Sequence, residues 1–229
     1  MFRRVVAGVA ALVSLLGVAC GGQGSTGDGT AADEGGSAET TVTSAPLDDD
    51  LPSPDTATTV SGRVLSPFEG SADDPAIGQI APVAVGVDLL SGDLVEIEAS
   101  DRPLVIAFFA HWCPHCQREV DDLTRWLETD SFPEGVDFVA ISTFEDSTRG
   151  NHPPAAWLDE QGWPFPVIAD TKGLDAAEAF GVTAVPFFVF IDDEGVVQGR
   201  LSGNIGPERL DALMEQAATG LPQGSTATA

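Results

Sequence analysis

The sequence predicts an α/β fold with a mixed central β-sheet flanked by helices. From residue 77 to about residue 219, short apolar runs alternate with amphipathic stretches of helical period, which is typical of a sheet covered by helices. The runs over residues 104–110 and 136–142 are mostly apolar, as expected of strands buried on both faces. Two other pairs of runs flank turn-forming residues and predict hairpins, so antiparallel strands are expected beside parallel ones.

The elements are expected in the order ββ-βαβ-α-β-α-ββ-α. Strands are predicted over residues 83–87, 94–97, 104–110, 136–142, 167–169, 187–191 and 196–201. Helices are predicted over residues 114–129, 155–161, 174–180 and 207–218. Proline begins the first and the last helix, where its missing N–H leaves nothing unsatisfied, and Gly181 ends the third.

The first 19 residues are predicted to be an export signal. Arg3 and Arg4 precede an uncharged apolar run over residues 5–19, which is shorter than the roughly 20 residues that a membrane-spanning helix needs. The run ends at Cys20 in the sequence Leu-Gly-Val-Ala-Cys, which resembles a bacterial lipobox, where the cysteine is diacylated and becomes the mature N-terminus. Lipidation of Cys20 is therefore expected; the alternative is a plain signal peptide that happens to stop at a cysteine.

Residues 20–76 are predicted to form a disordered acidic tether, and residues 220–229 a disordered tail. The tether is rich in Gly, Ser, Thr and Pro, and from residue 21 onward it has eleven acidic residues against one basic residue, Arg63. Such a composition cannot bury enough apolar surface to offset the entropy of ordering the chain. A weak pattern indicates one short element around residues 60–68. The folded domain is thus expected over residues 77–219.

The charge of the chain excludes one class of partner. There are 10 lysine and arginine residues against 36 aspartate and glutamate residues, for a formal net charge of −26. The protein therefore repels the phosphates of nucleic acids and of anionic lipids, and no nucleic-acid partner is expected. Three cysteines are too few for a scaffold built on disulfides, and three histidines offer little for a metal cluster.

The most informative motif is His-Trp-Cys-Pro-His-Cys at residues 111–116, which follows a predicted strand and opens a predicted helix. Cys113 would lie at the helix N-terminus, where unpaired N–H groups and the helix dipole stabilise a thiolate. Cys116 lies one turn further along. This spacing predicts a redox-active pair in which Cys113 is the nucleophile and Cys116 the resolving thiol, and such a pair needs no dissociable cofactor.

Five segments of the domain occur in the order found in one family. They are Ala81-Pro82, the Ser91-Gly92 turn, residues 108–113, residues 165–170 and residues 181–186. On these segments the domain resembles the thioredoxin superfamily, and within it the TlpA/ResA-like membrane-anchored thiol–disulfide oxidoreductases. The resemblance covers residues 77–218 and implies a thioredoxin-like fold with an N-terminal β-hairpin. Residues 143–170 correspond to the helix–strand insertion of that group.

The resemblance implies roles for further residues. Pro186 corresponds to a cis-proline beside the active cysteines, Val185 would offer its backbone to an extended substrate segment, and Trp112 would cover the disulfide. The implied substrates are protein thiols and disulfides outside the cytoplasm, and a membrane redox partner is implied as well. The lipid anchor would hold the protein on the extracytoplasmic face of the cell membrane.

One departure from the family pattern concerns the proton acceptor. Thioredoxins place a buried aspartate on the strand before the motif, where this chain has Ala107. Many TlpA-like proteins use an acid of the N-terminal hairpin, and Asp88 is the nearest candidate here, although the alignment puts Val87 at that position. A solvated turn residue is the alternative interpretation of Asp88.

A second departure concerns the residues that tune the thiolate. The pair Pro114-His115 is that of the strongly oxidising DsbA-type enzymes, and Val185 before Pro186 is also DsbA-like. Reduction potentials are about −270 mV for thioredoxin and about −120 mV for DsbA, whereas the TlpA-like scaffold often reduces. The direction of electron flow stays open, and a DsbA-like oxidant of exported proteins is the first alternative function.

A non-enzymatic function is the second alternative. Cys113, Cys116, His111 and His115 resemble the copper site of copper-delivery proteins built on this fold, although those proteins usually have an extra residue between their cysteines. No metal is expected on that ground, and a redox-fold binding module is the related possibility. A static disulfide is disfavoured, because closing so small a ring removes little entropy. His111 is expected to face solvent beside the motif.

Overall fold

The computed structural model of the protein describes residues 58–70, 73–129 and 132–219. The predicted export signal, Cys20 and the predicted C-terminal tail lie outside the described residues. The strands are β1 (Thr59–Ser61), β2 (Val83–Val87), β3 (Leu94–Ile97), β4 (Leu104–Phe109), β5 (Asp137–Ser142), β6 (Val167–Ala169), β7 (Phe187–Ile191) and β8 (Val197–Ser202). The helices are α1 (Pro114–Leu127), α2 (Pro154–Glu160), α3 (Asp175–Ala179) and α4 (Pro207–Thr219).

The larger sheet has five strands in the order β6-β5-β4-β7-β8. Strand β4 pairs in parallel with β5, and β5 pairs in parallel with β6. On its other side β4 pairs antiparallel with β7, which pairs antiparallel with β8. The mixed sheet predicted from the apolar runs is therefore confirmed, and β4, which leads into the cysteine motif, is its central strand.

Alternate residues of β4 point into two different cores, as the period of a strand requires. Val105, Ala107 and Phe109 lie in the core that also contains both cysteines and the buried face of α1. Leu104, Ile106 and Phe108 lie in the core on the opposite face. All six residues of the strand are buried. The cysteine motif thus follows the central, fully buried strand of the sheet.

The smaller sheet has three antiparallel strands in the order β1-β2-β3. Strands β2 and β3 are the predicted N-terminal hairpin. A bridge between Asp88 and Ile168 joins this hairpin to β6, an edge strand of the larger sheet. Among the helices that the described ranges contain, none is long and apolar enough to cross a lipid bilayer.

Residues 58–70 and 73–76 pack on the domain, although the sequence predicted a disordered tether up to residue 76. Thr59–Ser61 form β1, and the N–H groups of Leu65 and Phe68 donate to the carbonyls of Ala179 and Gly181 at 2.8 and 2.9 Å. Leu65 is 1% exposed. The tether boundary at residue 76 therefore differs from the structure, in which the folded part begins by residue 58. The acidic composition of residues 58–76 gave no sign of this packing, because only a few apolar side chains of the segment contact the domain.

Candidate active site

The cysteine motif lies where β4 ends and α1 begins. The Cys113 N–H donates to the Ala110 carbonyl at 3.0 Å, which turns the chain out of the sheet. Cys113 is the N-cap residue of α1, in an extended conformation with φ −78° and ψ 119°, and Pro114 follows at the start of the helix. Because the N-terminal N–H groups of a helix lack partners, they and the helix dipole favour a negative charge on the Cys113 sulfur.

The two cysteines have different surroundings. Both are free thiols; Cys113 is 7% exposed and Cys116 is fully buried. The Sγ atom of Cys116 accepts a hydrogen bond from the Ala110 N–H at 3.4 Å. Burial of Cys116 nonetheless raises its pKa, and the neighbouring Cys113 and the charge of Glu119 raise it further. The accessible thiol is therefore Cys113, while Cys116 keeps its proton.

Val185 and Pro186 lie beside Cys113. The peptide bond between them is cis, and the Cys113 Sγ atom is 3.7 Å from the Val185 carbonyl oxygen. Thr183 and Ala184, the two residues before Val185, are exposed. An extended segment that reaches Cys113 would therefore meet free backbone at this loop.

Glu119 is a buried acid near the cysteines that the sequence analysis did not single out. It lies three positions after Cys116 and is fully buried. Its carboxylate accepts hydrogen bonds from the Asn204 side chain at 2.9 Å and from the N–H groups of Ile205 and Gly206 at 3.1 and 3.0 Å. Burial raises the pKa of Glu119 and the charge of Asp122 adds to this, whereas the three hydrogen bonds oppose it. The sequence did contain a signal for this acid, because residues three apart, such as Cys116 and Glu119, share one face of a helix.

His115 is exposed on the first turn of α1. Its Nδ1 atom lies 2.7 Å from Nη2 of Arg118 and 3.1 Å from Oδ1 of Asn204. The His115 carbonyl oxygen accepts a hydrogen bond from Asn204 Nδ2 at 2.8 Å. The predicted tuning residue thus has two side-chain partners, one of them on a distant loop.

His111 is fully buried, so the expectation that it faces solvent is wrong. Its Nδ1 atom is 2.8 Å from the Gly150 carbonyl oxygen, and its Nε2 atom accepts a hydrogen bond from the Asp146 N–H at 3.2 Å. These partners require a neutral imidazole with its proton on Nδ1. Both ring nitrogens are therefore used to hold the loop over residues 144–152, and neither is directed at Cys113.

Trp112 holds the same loop from the other side. Its Nε1 atom donates to the Phe144 carbonyl at 2.7 Å, and the guanidinium carbon of Arg149 lies 4.3 Å from the centroid of its ring. A cation over an indole face is a favourable contact. Adjacent motif residues, His111 and Trp112, thus fix the loop that borders the active site.

Asp88, the predicted candidate for a proton acceptor, lies elsewhere. Its carboxylate accepts hydrogen bonds from Ser91 and from the N–H groups of Leu90 and Val167. It is bridged to Ile168 on the edge strand β6, and β5 lies between β6 and β4. Asp88 is therefore three strand spacings, or roughly 14 Å, from β4. The structure therefore does not bring Asp88 to the cysteines; it closes the hairpin turn against β6. At Ala107, where thioredoxins have an acid, the side chain is buried in the apolar core.

A metal site is not formed by the residues that the sequence analysis considered for copper. Within the part of the chain that the structure describes, no group of three or more His, Cys, Asp and Glu side chains is arranged to hold a metal ion. His111 is directed at the 144–152 loop and His115 at Arg118 and Asn204. The site as it stands is a dithiol with one accessible and one buried sulfur.

Comparisons with known proteins find related sequences and structures. The model of the AhpC/TSA family matches residues 77–200. The chain is 24% identical over 127 residues to the thiol-disulfide oxidoreductase ResA of Halalkalibacterium halodurans, which covers 55% of this chain and 69% of that protein. It is 26% identical over 152 residues to the thiol:disulfide interchange protein DsbE of Pasteurella multocida, which covers 62% of this chain and 78% of that protein.

A solved structure gives the same result for the fold. The crystal structure of a thiol:disulfide interchange protein of the thioredoxin family from Chlorobium tepidum matches with a TM-score of 0.50 and 27% sequence identity, over 60% of this chain and 94% of that chain. The predicted thioredoxin-like fold and the predicted enzyme class, a thiol–disulfide oxidoreductase, are confirmed by these relatives. Because the family model spans more than half of the sequence, the chain belongs to the AhpC/TSA family.

Proposed function

We propose that Cys113 and Cys116 exchange two electrons with protein thiols and disulfides. The observation that carries this proposal is the contrast between the two sulfurs. Cys113 caps the N-terminus of α1 beside the Val185 carbonyl, whereas burial raises the pKa of Cys116. A nucleophile at a helix N-terminus and a partner that keeps its proton until the second step are what stepwise disulfide exchange requires.

In the reducing direction, the Cys113 thiolate attacks one sulfur of a substrate disulfide. A bond forms between that sulfur and Cys113 Sγ, the substrate S–S bond breaks, and the second substrate sulfur leaves as a thiolate that takes a proton from solvent. Cys116 then loses its proton to solvent and attacks Cys113 Sγ. The Cys113–Cys116 disulfide forms, the first substrate sulfur leaves, and two electrons have passed to the substrate. Oxidation of a substrate dithiol follows the same steps in reverse.

Val185 and Pro186 would bind the substrate beside Cys113. An extended segment would hydrogen-bond to the backbone beside the exposed residues 183 and 184 and the half-buried Val185, as a strand does when it is added to a sheet edge. Trp112 would shield the disulfide from one side, since its ring is held by Phe144 and Arg149. These contacts would present a substrate sulfur to Cys113 Sγ.

Trapping tests the proposed function. Cys116→Ser removes the resolving sulfur, so mixed disulfides between Cys113 and substrate proteins should accumulate in cells and be released by dithiothreitol. The double variant Cys113→Ser with Cys116→Ser is the matched control and should trap none. If Cys116→Ser forms no adducts beyond those of the control, Cys113 does not act as the nucleophile.

An oxidant of exported proteins is the second candidate, and His115 favours it. A histidine between the two cysteines would stabilise the thiolate, hence the reduced form, and would raise the reduction potential. Insulin reduction and the refolding of reduced ribonuclease separate the two directions. A reductase should accelerate the first assay, and an oxidant should accelerate the second.

We further propose that the protein works outside the cytoplasm, held to the cell membrane by a lipid on Cys20 and supplied by a membrane redox partner. Support comes from the basic start, the short apolar run and the lipobox-like residues 16–20. Mass spectrometry of the mature N-terminus tests the anchor. A diacylated Cys20 is expected, and a free thiol or cleavage at another position would contradict it.

A further inference from the structure

The loop over residues 203–206, which joins β8 to α4, contacts three parts of the active site. The Gly203 N–H donates to the Pro186 carbonyl at 2.8 Å. Asn204 hydrogen-bonds to His115 and Glu119, and the next two N–H groups donate to Glu119. This 203–206 loop therefore connects the cis-proline, the histidine between the cysteines and the buried acid.

The side-chain amide of Asn204 can adopt only one orientation. Its Nδ2 atom lies 2.8 Å from the His115 carbonyl oxygen and 2.9 Å from Oε2 of Glu119. A carbonyl and a carboxylate accept hydrogen bonds and donate none, so the amide nitrogen must face them. Its oxygen is consequently directed at His115, 3.1 Å from Nδ1.

The Nδ1 atom of His115 cannot satisfy both of its neighbours. The Asn204 oxygen only accepts, whereas the Arg118 guanidinium, 2.7 Å away on the other side, only donates. With a proton on Nδ1, His115 bonds to Asn204; without one, it accepts from Arg118. In the second arrangement Nδ1 has no proton, so the ring is neutral.

We propose that Asn204 is a positioning residue that selects the Nδ1-protonated form of His115 and thereby sets the reduction potential of the Cys113–Cys116 pair. Glu119 orients the amide of Asn204, Asn204 holds the proton of His115, and His115 lies between the two cysteines, two positions after Cys113 on the first turn of α1. With Nδ1 held in this way, a second proton on Nε2 yields an imidazolium that stabilises the Cys113 thiolate. The proposal rests on the redox role proposed above.

Two elements form this cluster, and the charged groups lie on one of them. On α1 they are Arg118, which is exposed beside His115, the buried Glu119, and Asp122, whose charge raises the pKa of Glu119. The 203–206 loop adds only neutral groups, the side chain of Asn204 and backbone N–H groups. Arg118 therefore opposes the protonated form of His115, and Asn204 is the neutral acceptor that favours it.

The test is the equilibrium of the full chain with glutathione. Asn204→Ala should shift the equilibrium constant of the Cys113–Cys116 pair about tenfold toward the disulfide, a potential lower by ~30 mV. In a His115→Gln background, the same substitution should change the constant less than about twofold, because its effect passes through His115. Gln198→Ala is the matched control; it removes an amide that bonds to Asp192 at the opposite end of β8, and should leave the potential unchanged.

Two results would overturn the inference: an unchanged potential in Asn204→Ala, or an equal shift with and without His115. A direct measurement on the unaltered protein is independent of how the variants fold. The ¹⁵N chemical shifts of the His115 ring should show a proton on Nδ1, and a bare Nδ1 overturns the proposal. If the Cys113–Cys116 pair of the unaltered protein does not equilibrate with glutathione, both the proposed function and this inference fail. If the pair equilibrates but Asn204→Ala leaves its equilibrium constant unchanged, only this inference fails.

Discussion

Arg200 and Asp74, which are 126 positions apart in the sequence, form a two-point ion pair inside the domain. Nε and Nη2 of Arg200 donate to the two carboxylate oxygens of Asp74 at 2.8 and 2.6 Å. The side chains are 0% and 5% exposed. The remaining nitrogen, Nη1, donates to the carbonyls of Ser66 and Phe180. This arrangement joins the segment before residue 77 to the body of the fold.

Asp74→Asn should destabilise the domain by about 3–5 kcal/mol, the usual cost of leaving one member of a buried ion pair without its partner. Chemical denaturation at neutral pH measures this. Asp137→Asn is the control, because its pair with Arg102 is about half exposed, and such pairs contribute only about 0–1 kcal/mol. Equal losses of unfolding free energy in the two variants would show that the buried ion pair of Asp74 contributes no more stability than the half-exposed pair of Asp137.

The destabilisation caused by Asp74→Asn should also depend on pH. Burial of Asp74 raises its pKa, but the hydrogen bonds from Arg200 and the Ala76 N–H, and the charge of Arg200, outweigh burial and hold the pKa below its ordinary value. A lowered pKa in the folded state contributes stability that is complete above the unfolded value of about 3.9 and is lost as the pH falls through the folded value. The difference between the protein and the variant should therefore shrink below about pH 4, as measured by denaturation across that range.

Gly181→Ala should cost more stability than Gly162→Ala. Both glycines follow a helix and have a positive φ, 71° and 69°, so the backbone strain of an alanine is the same at each. A Cβ at Gly181 would overlap the Ser66 carbonyl oxygen and Nη1 of Arg200, whereas a Cβ at Gly162 would meet nothing within 4 Å. We expect about 1 kcal/mol for Gly162→Ala and about 3 kcal/mol for Gly181→Ala in thermal denaturation. Equal losses would mean that Ser66 moves away freely.

Glu119→Gln should make Cys116 ionise at lower pH. Burial is the main reason that the pKa of Cys116 is raised, and the charge of Glu119 adds to it; glutamine removes that charge with little change of shape. In a Cys113→Ser background, alkylation of Cys116 near pH 8 should become about threefold faster or more, as followed by mass spectrometry. Glu128→Gln, just after the end of α1, should have no effect. A slower reaction in Glu119→Gln would contradict the electrostatic role.

His111→Phe should release the 144–152 loop. The variant keeps a buried aromatic ring but removes the acceptor of the Asp146 N–H and the partner of the Gly150 carbonyl. Amide exchange at Asp146 should accelerate about tenfold or more, since a lost hydrogen bond of this kind costs about 1–3 kcal/mol. His152→Ala removes a contact with Glu145 and an edge-to-face ring contact with His111, but it leaves the acceptor of the Asp146 N–H in place, so it should change the exchange by less than about threefold. Unchanged exchange in His111→Phe would mean that Trp112 alone holds the loop.

The parts of the structure that were predicted correctly depend on neighbouring residues. Strand β4 was evident from its apolar run, and the start of α1 from Pro114. The position of the two cysteines at the start of α1 was evident because both cysteines and the start of the helix lie within one short motif. The parts that were missed depend on partners far along the chain. Asp74 was assigned to a tether, because its composition gives no sign of Arg200. Asp88 was considered for a chemical role, because its partner Val167 on β6 is 79 positions away.

Charged residues on α1 illustrate the same limit. Glu119 precedes two aspartates that are on the solvent side of the helix, and its own burial depends on the 203–206 loop. The helical period places it on the face of Cys116 and Leu123, but a buried carboxylate needs donors that the local sequence does not reveal. Asn204, more than 80 positions away, supplies one of them.

Of the two residues in the Arg200–Asp74 pair, Arg200 lies inside the region that matches the family model and Asp74 lies before it. The family match ends at Arg200 and begins at residue 77, three positions after Asp74. A fragment cut to the shared region would retain a guanidinium in the interior and lose the only anion bonded to it among the described residues. Homology alone would thus define a domain that lacks this ion pair, and we expect a stable unit of this protein to start before residue 77.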